Sequence, residues 1–147
     1  MKLLARSSFL FLVLVAPWGY AAALDPSLLG CWRAVEIVLY APDGGKTEDT
    51  SGRCTLHFKE DGFESTCGTT AGVATTSYQY RIERPNFYLA TMTGSTFRTS
   101  LVGSTREYEY HVDGDRLTTV AVPQATSPAA SAAPPRVESE AVKTPCK

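Results

Sequence analysis

The sequence predicts an all-β protein, an antiparallel up-and-down β-barrel of about eight to nine strands. Segments rich in β-branched and aromatic residues, many of them alternating with polar residues, recur after residue 30, where helical periodicity is hard to find. Turn residues separate these segments, as in Asp43-Gly44-Gly45 and Asp113-Gly114-Asp115. Consecutive strands are therefore expected to be hairpin neighbours.

The N-terminus has the pattern of a secretory signal peptide. Lys2 and Arg6 form a basic start, Phe9–Ala16 is an apolar run, and Ala21-Ala22-Ala23 offers small residues for cleavage. The run is shorter than the about 20 residues that a membrane-spanning helix needs. We expect residues 1–23 to be removed from a secreted or periplasmic protein that has no transmembrane segment.

The charge of the remaining chain is mild. Without Lys2 and Arg6, 12 of the 14 basic side chains remain against 15 acidic ones, a formal charge of −3. The two signs are interspersed, so no basic stripe is available for nucleic acid, and nucleic acid is not an expected partner.

Nine strands are expected within the body. They are placed at Cys31–Tyr40, Arg53–Lys59, Gly62–Cys67, Thr75–Glu83, Phe87–Thr91, Thr96–Val102, Thr105–Val112, Arg116–Val122 and Arg136–Lys143. Residues 24–122 then form the barrel domain, and the Pro-, Ala- and Ser-rich residues 123–135 form a loop or linker. Residues 136–147 supply a closing strand and a C-terminus tethered by a disulfide.

Cysteine spacing predicts one disulfide across a hairpin. Export favours thiol pairing. With an even loop, Phe58 faces Phe63 and Cys54 faces Cys67, at a Cα separation short enough for a disulfide. A three-residue loop with a bulge at Gly62 would instead place the two sulfurs on opposite faces.

If Cys54 pairs with Cys67, Cys31 is left to pair with Cys146. That disulfide would join the first strand to the last residues, which a closed barrel brings together. An alternative is a lipid anchor on Cys31, because Leu28–Cys31 resembles the bacterial lipobox, but lipidation would leave an odd thiol. No metal site is expected, since His57 and His111 lie alone in strand-like runs.

Leu29–Arg33 resembles the Gly-x-Trp motif that opens the first strand of lipocalins and lipocalin-like calycins. Tyr108–Thr118 is similar to the late hairpin of bacterial lipocalin-like domains. The resemblance implies that Gly30 lets the chain enter the closed end of a barrel and that Trp32 plugs its floor. It also implies that Arg136, the only arginine near the C-terminus, stacks on the tryptophan.

The barrel interior is expected to be rich in tyrosine. If Trp32 faces inward, strict alternation also turns Glu36 and Tyr40 inward. The later strands add Tyr78, Tyr80, Arg106, Tyr108 and Tyr110 as candidate ligand contacts. Glu36 and Arg106 would either pair inside, or lie at the mouth or on the outside through a bulge. An eight-stranded barrel is either filled by its own side chains or holds one small ligand.

The resemblance implies an exported barrel that binds a small apolar or aromatic ligand. An alternative is a secreted metalloprotease inhibitor of the calycin type, which would insert Leu24–Leu29 into its target. A second alternative is a structural envelope protein without a ligand. No nucleophile with a base, no carboxylate pair and no phosphate loop has a meaningful spacing, so neither catalytic residues nor a cofactor are expected.

Overall fold

Nine β-strands make up most of the computed structural model, which describes residues 24–122 and 135–147. The strands are β1 Gly30–Tyr40, β2 Lys46–Asp49, β3 Cys54–Phe58, β4 Gly62–Thr69, β5 Gly72–Arg84, β6 Phe87–Ser95, β7 Thr105–Asp113, β8 Arg116–Ala121 and β9 Arg136–Thr144. A 3-10 helix at Thr99–Leu101 separates β6 from β7. The predicted signal peptide and nearly all of the predicted linker lie outside the described residues.

The strands close into a barrel because β1 pairs with β9 along one edge and with β3 along the other. β1 and β3 to β9 are the eight antiparallel strands of the barrel. Each pairs with the strand before and the strand after it in this series, and β9 pairs with β1. β2 is an additional strand that pairs with Ile37–Tyr40 of β1, on the edge that β3 uses near Gly30–Arg33. The predicted all-β barrel is confirmed. In the described residues no helix is long and apolar enough to cross a membrane.

One predicted strand was wrong, and one observed strand was not predicted. The predicted strand at Thr96–Val102 is a turn followed by the 3-10 helix, because the Ser95 Oγ accepts hydrogen bonds from the amides of Phe97 at 3.3 Å and Arg98 at 2.9 Å. These bonds turn the chain out of the sheet directly after β6. The polar strand β2 was missed, since its sequence Lys-Thr-Glu-Asp has no apolar alternation.

Each end of the barrel has one disulfide. The β3–β4 hairpin has the register that places Phe58 opposite Phe63 and Cys54 opposite Cys67. Cys54 and Cys67 are disulfide-bonded, with their Cα atoms 4.0 Å apart. The second disulfide joins Cys31 at the start of β1 to Cys146, across a sequence separation of 115 residues.

The two ends of the barrel differ in packing. We call the end at which β1 begins the closed end, and the end at which β1 finishes the open end. The closed end is filled by the side chains of Trp32, Phe58 and Leu117. Leu28 covers this end, and all four side chains are at most 2% exposed. Gly30 enters this end with φ of 110°, a conformation that other residues rarely adopt. The most deeply buried part of the core therefore lies at the closed end of the barrel.

Candidate ligand-binding site

A β-bulge in β1 decides which of its side chains face the interior. Ala34 pairs with Ala141 and Glu36 pairs with Glu140, so Val35 is an extra residue on β1. An extra residue shifts the alternation by one position, so the side chains that follow it point to the opposite face of the sheet. Ile37 and Leu39 therefore continue the inner face that Trp32 and Ala34 begin.

Glu36 and Tyr40 consequently lie on the outer face of the barrel, and their prediction as interior ligand contacts was wrong. Glu36 is opposite Glu140, and Tyr40 is opposite Arg136. The Tyr40 hydroxyl donates to Glu138 Oε2 at 3.4 Å. Strict alternation failed here because it cannot include the bulge.

The cation on the tryptophan is a lysine. Lys143 is directly opposite Trp32 in the β1–β9 register, and its Nζ lies 4.7 Å from the centre of the indole ring. Arg136 lies at the other end of β9, where its guanidinium pairs with Glu138 at 2.6 Å. The prediction that Arg136 stacks on Trp32 was therefore wrong, because β9 runs past the tryptophan seven residues later than Arg136.

At the closed end, the protein itself satisfies the polar atoms of the aromatic residues. The Trp32 Nε1–H donates to the Leu28 carbonyl at 2.8 Å. The Tyr80 hydroxyl donates to the Lys59 carbonyl at 2.8 Å, and the Tyr110 hydroxyl donates to Asp25 Oδ2 at 2.7 Å. Tyr80 and Tyr110 lie on the inner face as expected, but these contacts make them part of the floor.

Towards the open end the barrel interior contains a cavity of about 160 Å³ that is partly open to solvent. Its lining is mostly apolar or aromatic, with a few hydroxyls: Ala34, Ile37, Cys54, Leu56, Phe63, Ser65, Tyr78, Tyr88, Tyr108, Thr119, Val137 and Ser139. The aromatic wall is ordered into two stacked pairs. The ring centres of Phe63 and Tyr78 are 4.5 Å apart, and those of Tyr88 and Tyr108 are 5.1 Å apart.

The tyrosine hydroxyls at this cavity differ from those at the floor. Tyr80 and Tyr110 donate their hydroxyls to protein acceptors, whereas no such side-chain hydrogen bond is found for Tyr78, Tyr88 or Tyr108 within the described part of the chain. Burial raises the pKa of all three, that of Tyr78 to about 12, so they stay protonated near neutral pH. Thr119 and Ser139 instead share a hydrogen bond of 2.7 Å. The cavity thus presents unused hydroxyl donors beside an apolar wall.

Arg106 reaches the same region from β7. It is opposite the buried Ala90 and two residues from Tyr108, so it shares their inner face. Its Nη2 donates to the Pro135 carbonyl. Its Nε is buried and has no hydrogen-bond partner within the described part of the chain. Of the seven predicted contacts, Tyr78, Tyr108 and Arg106 are those that the structure brings together at the open end.

Sequence reasoning missed several lining residues. Ile37 lies on the cavity side only because of the bulge in β1, and no local pattern indicates it. Val137 faces the cavity through the regular alternation of β9, which it shares with Ser139. Ser65 could have been found, because the β3–β4 register that aligns the cysteines also places it opposite the inward-facing Leu56.

One cluster elsewhere has the composition of a metal site. The sulfurs of Cys31 and Cys146 and a His57 ring nitrogen lie within 4.8 Å of one another on the outer face. The two sulfurs form a disulfide, and metal binding requires thiolates, so the oxidised protein offers no such site here.

The sequence matches no protein-family model and no curated protein. Among solved structures, a lipocalin-like protein from Bacteroides uniformis ATCC 8492 has a TM-score of 0.51 at 11% identity, over 80% of this chain and 99% of that one. An uncharacterized protein from Bacteroides eggerthii DSM 20697 has a TM-score of 0.49 at 12% identity, over 79% and 98% of the two chains. A de novo designed fluorescence-activating β-barrel has a TM-score of 0.43 at 14% identity, over 80% and 94%. The first of these likenesses establishes a lipocalin-like barrel fold and nothing beyond the fold.

Proposed function

We propose that this protein is an exported, non-enzymatic binding protein that holds one small aromatic or apolar ligand in the cavity at the open end of its barrel. The observation that carries the proposal is the cavity of about 160 Å³, whose wall carries the rings of Tyr78, Tyr88 and Tyr108. Pockets for small ligands combine an apolar or aromatic lining with a few polar groups, so this wall suits a ligand that has one polar atom.

The size of the cavity limits the ligand to about one ring. An apolar protein cavity of about 150 Å³ holds benzene. A ligand the size of p-cresol would place its ring against Phe63 and Tyr88 and its hydroxyl near Tyr78 or Tyr108. Larger molecules would have to extend through the mouth into solvent.

Export is supported by the two disulfides, which persist in oxidising compartments. The signal-like N-terminus agrees with export. A secreted or periplasmic location is therefore part of the proposal, and lipid attachment at Cys31 is not, because Cys31 is in a disulfide.

Metalloprotease inhibition is not proposed. It would require Leu24–Leu29 to enter a protease cleft as a free strand. In this structure Leu28 is 0% exposed beneath Trp32, and Asp25 accepts the Tyr110 hydrogen bond, so most of the segment belongs to the floor of the barrel. No contact of the described residues favours the structural envelope role either.

The test is a calorimetric titration of the mature protein with p-cresol, using two matched variants. Ser65→Leu fills the cavity, and Ser77→Leu adds the same side chain on the outer face of β5. We expect wild type and Ser77→Leu to bind with a Kd in the micromolar to low millimolar range, about what eight heavy atoms can supply. Ser65→Leu should bind at least about tenfold more weakly, an affinity change of about 1.4 kcal/mol. Equal binding by Ser65→Leu, or no binding by the wild type, would contradict the proposal.

Native mass spectrometry of protein purified from its own source would identify the natural ligand. We expect an added mass that is lost when the protein is unfolded. A ligand with no portion as small as one ring would be inconsistent with the volume of the cavity.

A further inference from the structure

The open end carries a positive charge that the cavity alone does not explain. Arg106 turns its side chain towards the interior, opposite Ala90 on β6. A guanidinium has five N–H donors. The Nε of Arg106 is buried without a partner among the described residues. Leaving a buried donor of a charged group unpaired is costly, so the Nε–H of Arg106 is available to an acceptor that the described residues do not supply.

A second arginine adds to this charge. Arg98 follows the end of β6, where its amide donates to Ser95 Oγ at 2.9 Å. Its charge and that of Arg106 both lower the pKa of the Tyr78 and Tyr108 hydroxyls, against the larger effect of burial. Neither arginine forms an ion pair with a carboxylate of the described residues, whereas Arg84 pairs with Glu107, Arg116 with Glu140 and Arg136 with Glu138. Arg33 and Arg53 form no such ion pair either, but Arg98 and Arg106 are the two whose charge acts on tyrosines of the cavity wall.

The chemistry of the mouth therefore differs from that of the wall. The wall accepts a ring, and the mouth offers a guanidinium with phenolic hydroxyls beside it. Carboxylates accept paired hydrogen bonds from a guanidinium, and such charge-assisted bonds are about twice as strong as neutral ones. Phosphate esters share the charge but are bulkier, and they would leave less of the enclosed volume for a ring.

We infer that the ligand is a single-ring aromatic carboxylate, with its ring in the cavity and its carboxylate against Arg106 at the open end, where Arg98 adds long-range attraction. This inference rests on the proposed function, since it assigns the ligand class of the same cavity.

The experiment compares benzoate with benzyl alcohol, a neutral probe of similar size, by calorimetry on the mature protein. Wild type should bind benzoate at least about tenfold more tightly than benzyl alcohol, because the charge-assisted bonds are absent from the alcohol. Raising the salt concentration should weaken benzoate alone, since screening acts on the charge.

Substitutions of single arginines test which residue is responsible for the tighter binding of benzoate. Arg106→Gln should weaken benzoate binding by about 10- to 100-fold and change benzyl alcohol binding by less than about threefold. Arg106→Lys should recover part of the loss, and Arg98→Gln should lose only about two- to fivefold, the size of a screened surface charge. Arg116→Gln, which removes an arginine that pairs with Glu140 near the closed end, is the control and should leave both ligands unchanged. Thermal unfolding of each variant confirms that it is folded.

The outcomes separate the two proposals. If benzyl alcohol binds and benzoate binds no better, or if Arg106→Gln leaves benzoate unchanged, the carboxylate inference is wrong and the cavity remains a binding site. If neither probe binds the wild type, the proposed function itself fails. If Arg106→Gln does not fold, the benzoate preference and its salt dependence in the wild type decide the question.

Discussion

The closed and open ends of this barrel are built from the same kind of residue and use it differently. At the closed end, Tyr80 and Tyr110 donate to Lys59 and Asp25. At the open end, the hydroxyls of the neighbouring tyrosines on the same strands have no acceptor among the described residues, and they surround a cavity.

The comparison teaches that a tyrosine-rich interior is not in itself a binding site. What matters is whether the protein already satisfies the polar atoms. A satisfied network rigidifies a core, whereas unsatisfied groups beside a void are available to a ligand. We therefore expect changes at the closed end to reduce stability, and changes at the open end to affect binding more than stability.

The disulfide between Cys31 and Cys146 should give the largest single loss of stability. Cys31–Cys146 spans 115 residues at the closed end, and Cys54–Cys67 spans 13 residues at the open end. In the chain-entropy model, replacing the first pair by alanine costs about 5 kcal/mol and replacing the second about 3 kcal/mol. Chemical denaturation of the two double variants measures the difference. A larger loss from the Cys54–Cys67 pair would reverse the predicted order.

Trp32→Ala should reduce the free energy of unfolding by about 3–5 kcal/mol, because it removes a fully buried indole and leaves a void. Phe97→Ala at the open end is the control. Phe97 is 56% exposed, and its loss should stay within about 0.5 kcal/mol. Since Trp18 lies in the predicted signal peptide, Trp32 is the only tryptophan of the mature chain, and its emission should be blue-shifted. Red-shifted, readily quenched emission would place it outside the core.

Removing one hydroxyl at each end tests the comparison most evenly. Tyr110→Phe deletes the bond to Asp25 and should cost about 1–2 kcal/mol. Tyr108→Phe removes a hydroxyl that has no described acceptor and should change stability by less than about 0.5 kcal/mol. Denaturant midpoints of the two variants provide the measurement. Equal losses would mean that the two hydroxyls are equally engaged, contrary to the contacts described above.

The smallest expected effect is the pH dependence of Asp25. Burial raises its pKa, but hydrogen bonds from Ser27 and Tyr110 together outweigh burial and lower the pKa below its ordinary value of 3.8. A lowered folded-state pKa stabilises the protein above the unfolded value, and this stabilisation is lost as the pH falls through the folded value. Asp25→Asn should therefore lose less stability than wild type between pH 6 and pH 2.5. Other carboxylates with a lowered pKa, such as Glu107, titrate in both proteins and cancel. An identical decrease would show that the contact with Tyr110 is not maintained.

The local sequence pattern was sufficient to predict most of the strands and the β3–β4 register. The register of Phe58 against Phe63 could be read from the sequence because one hairpin turn connects the strands. The contacts between β1 and β9 could not, because they depend on the register of strands about a hundred residues apart. The bulge at Val35 and the place of Lys143 are both set by that register.

The candidate site was predictable in composition but not in position. Tyr78, Tyr108 and Arg106 follow from strand alternation, which is uninterrupted in the parts of β5 and β7 that hold them. The separation of floor tyrosines from cavity tyrosines depends on Asp25 and on the Lys59 carbonyl, whose positions are set only when the barrel closes.

The most direct test of this account is a map of chemical-shift changes in the mature protein as p-cresol is added. We predict that the largest changes occur at Tyr78, Tyr108 and Val137, and that the Trp32 indole and Tyr110 stay nearly unchanged. Changes centred on Trp32 or Tyr110, with none at the open end, would contradict the assignment of stability to the closed end and binding to the open end.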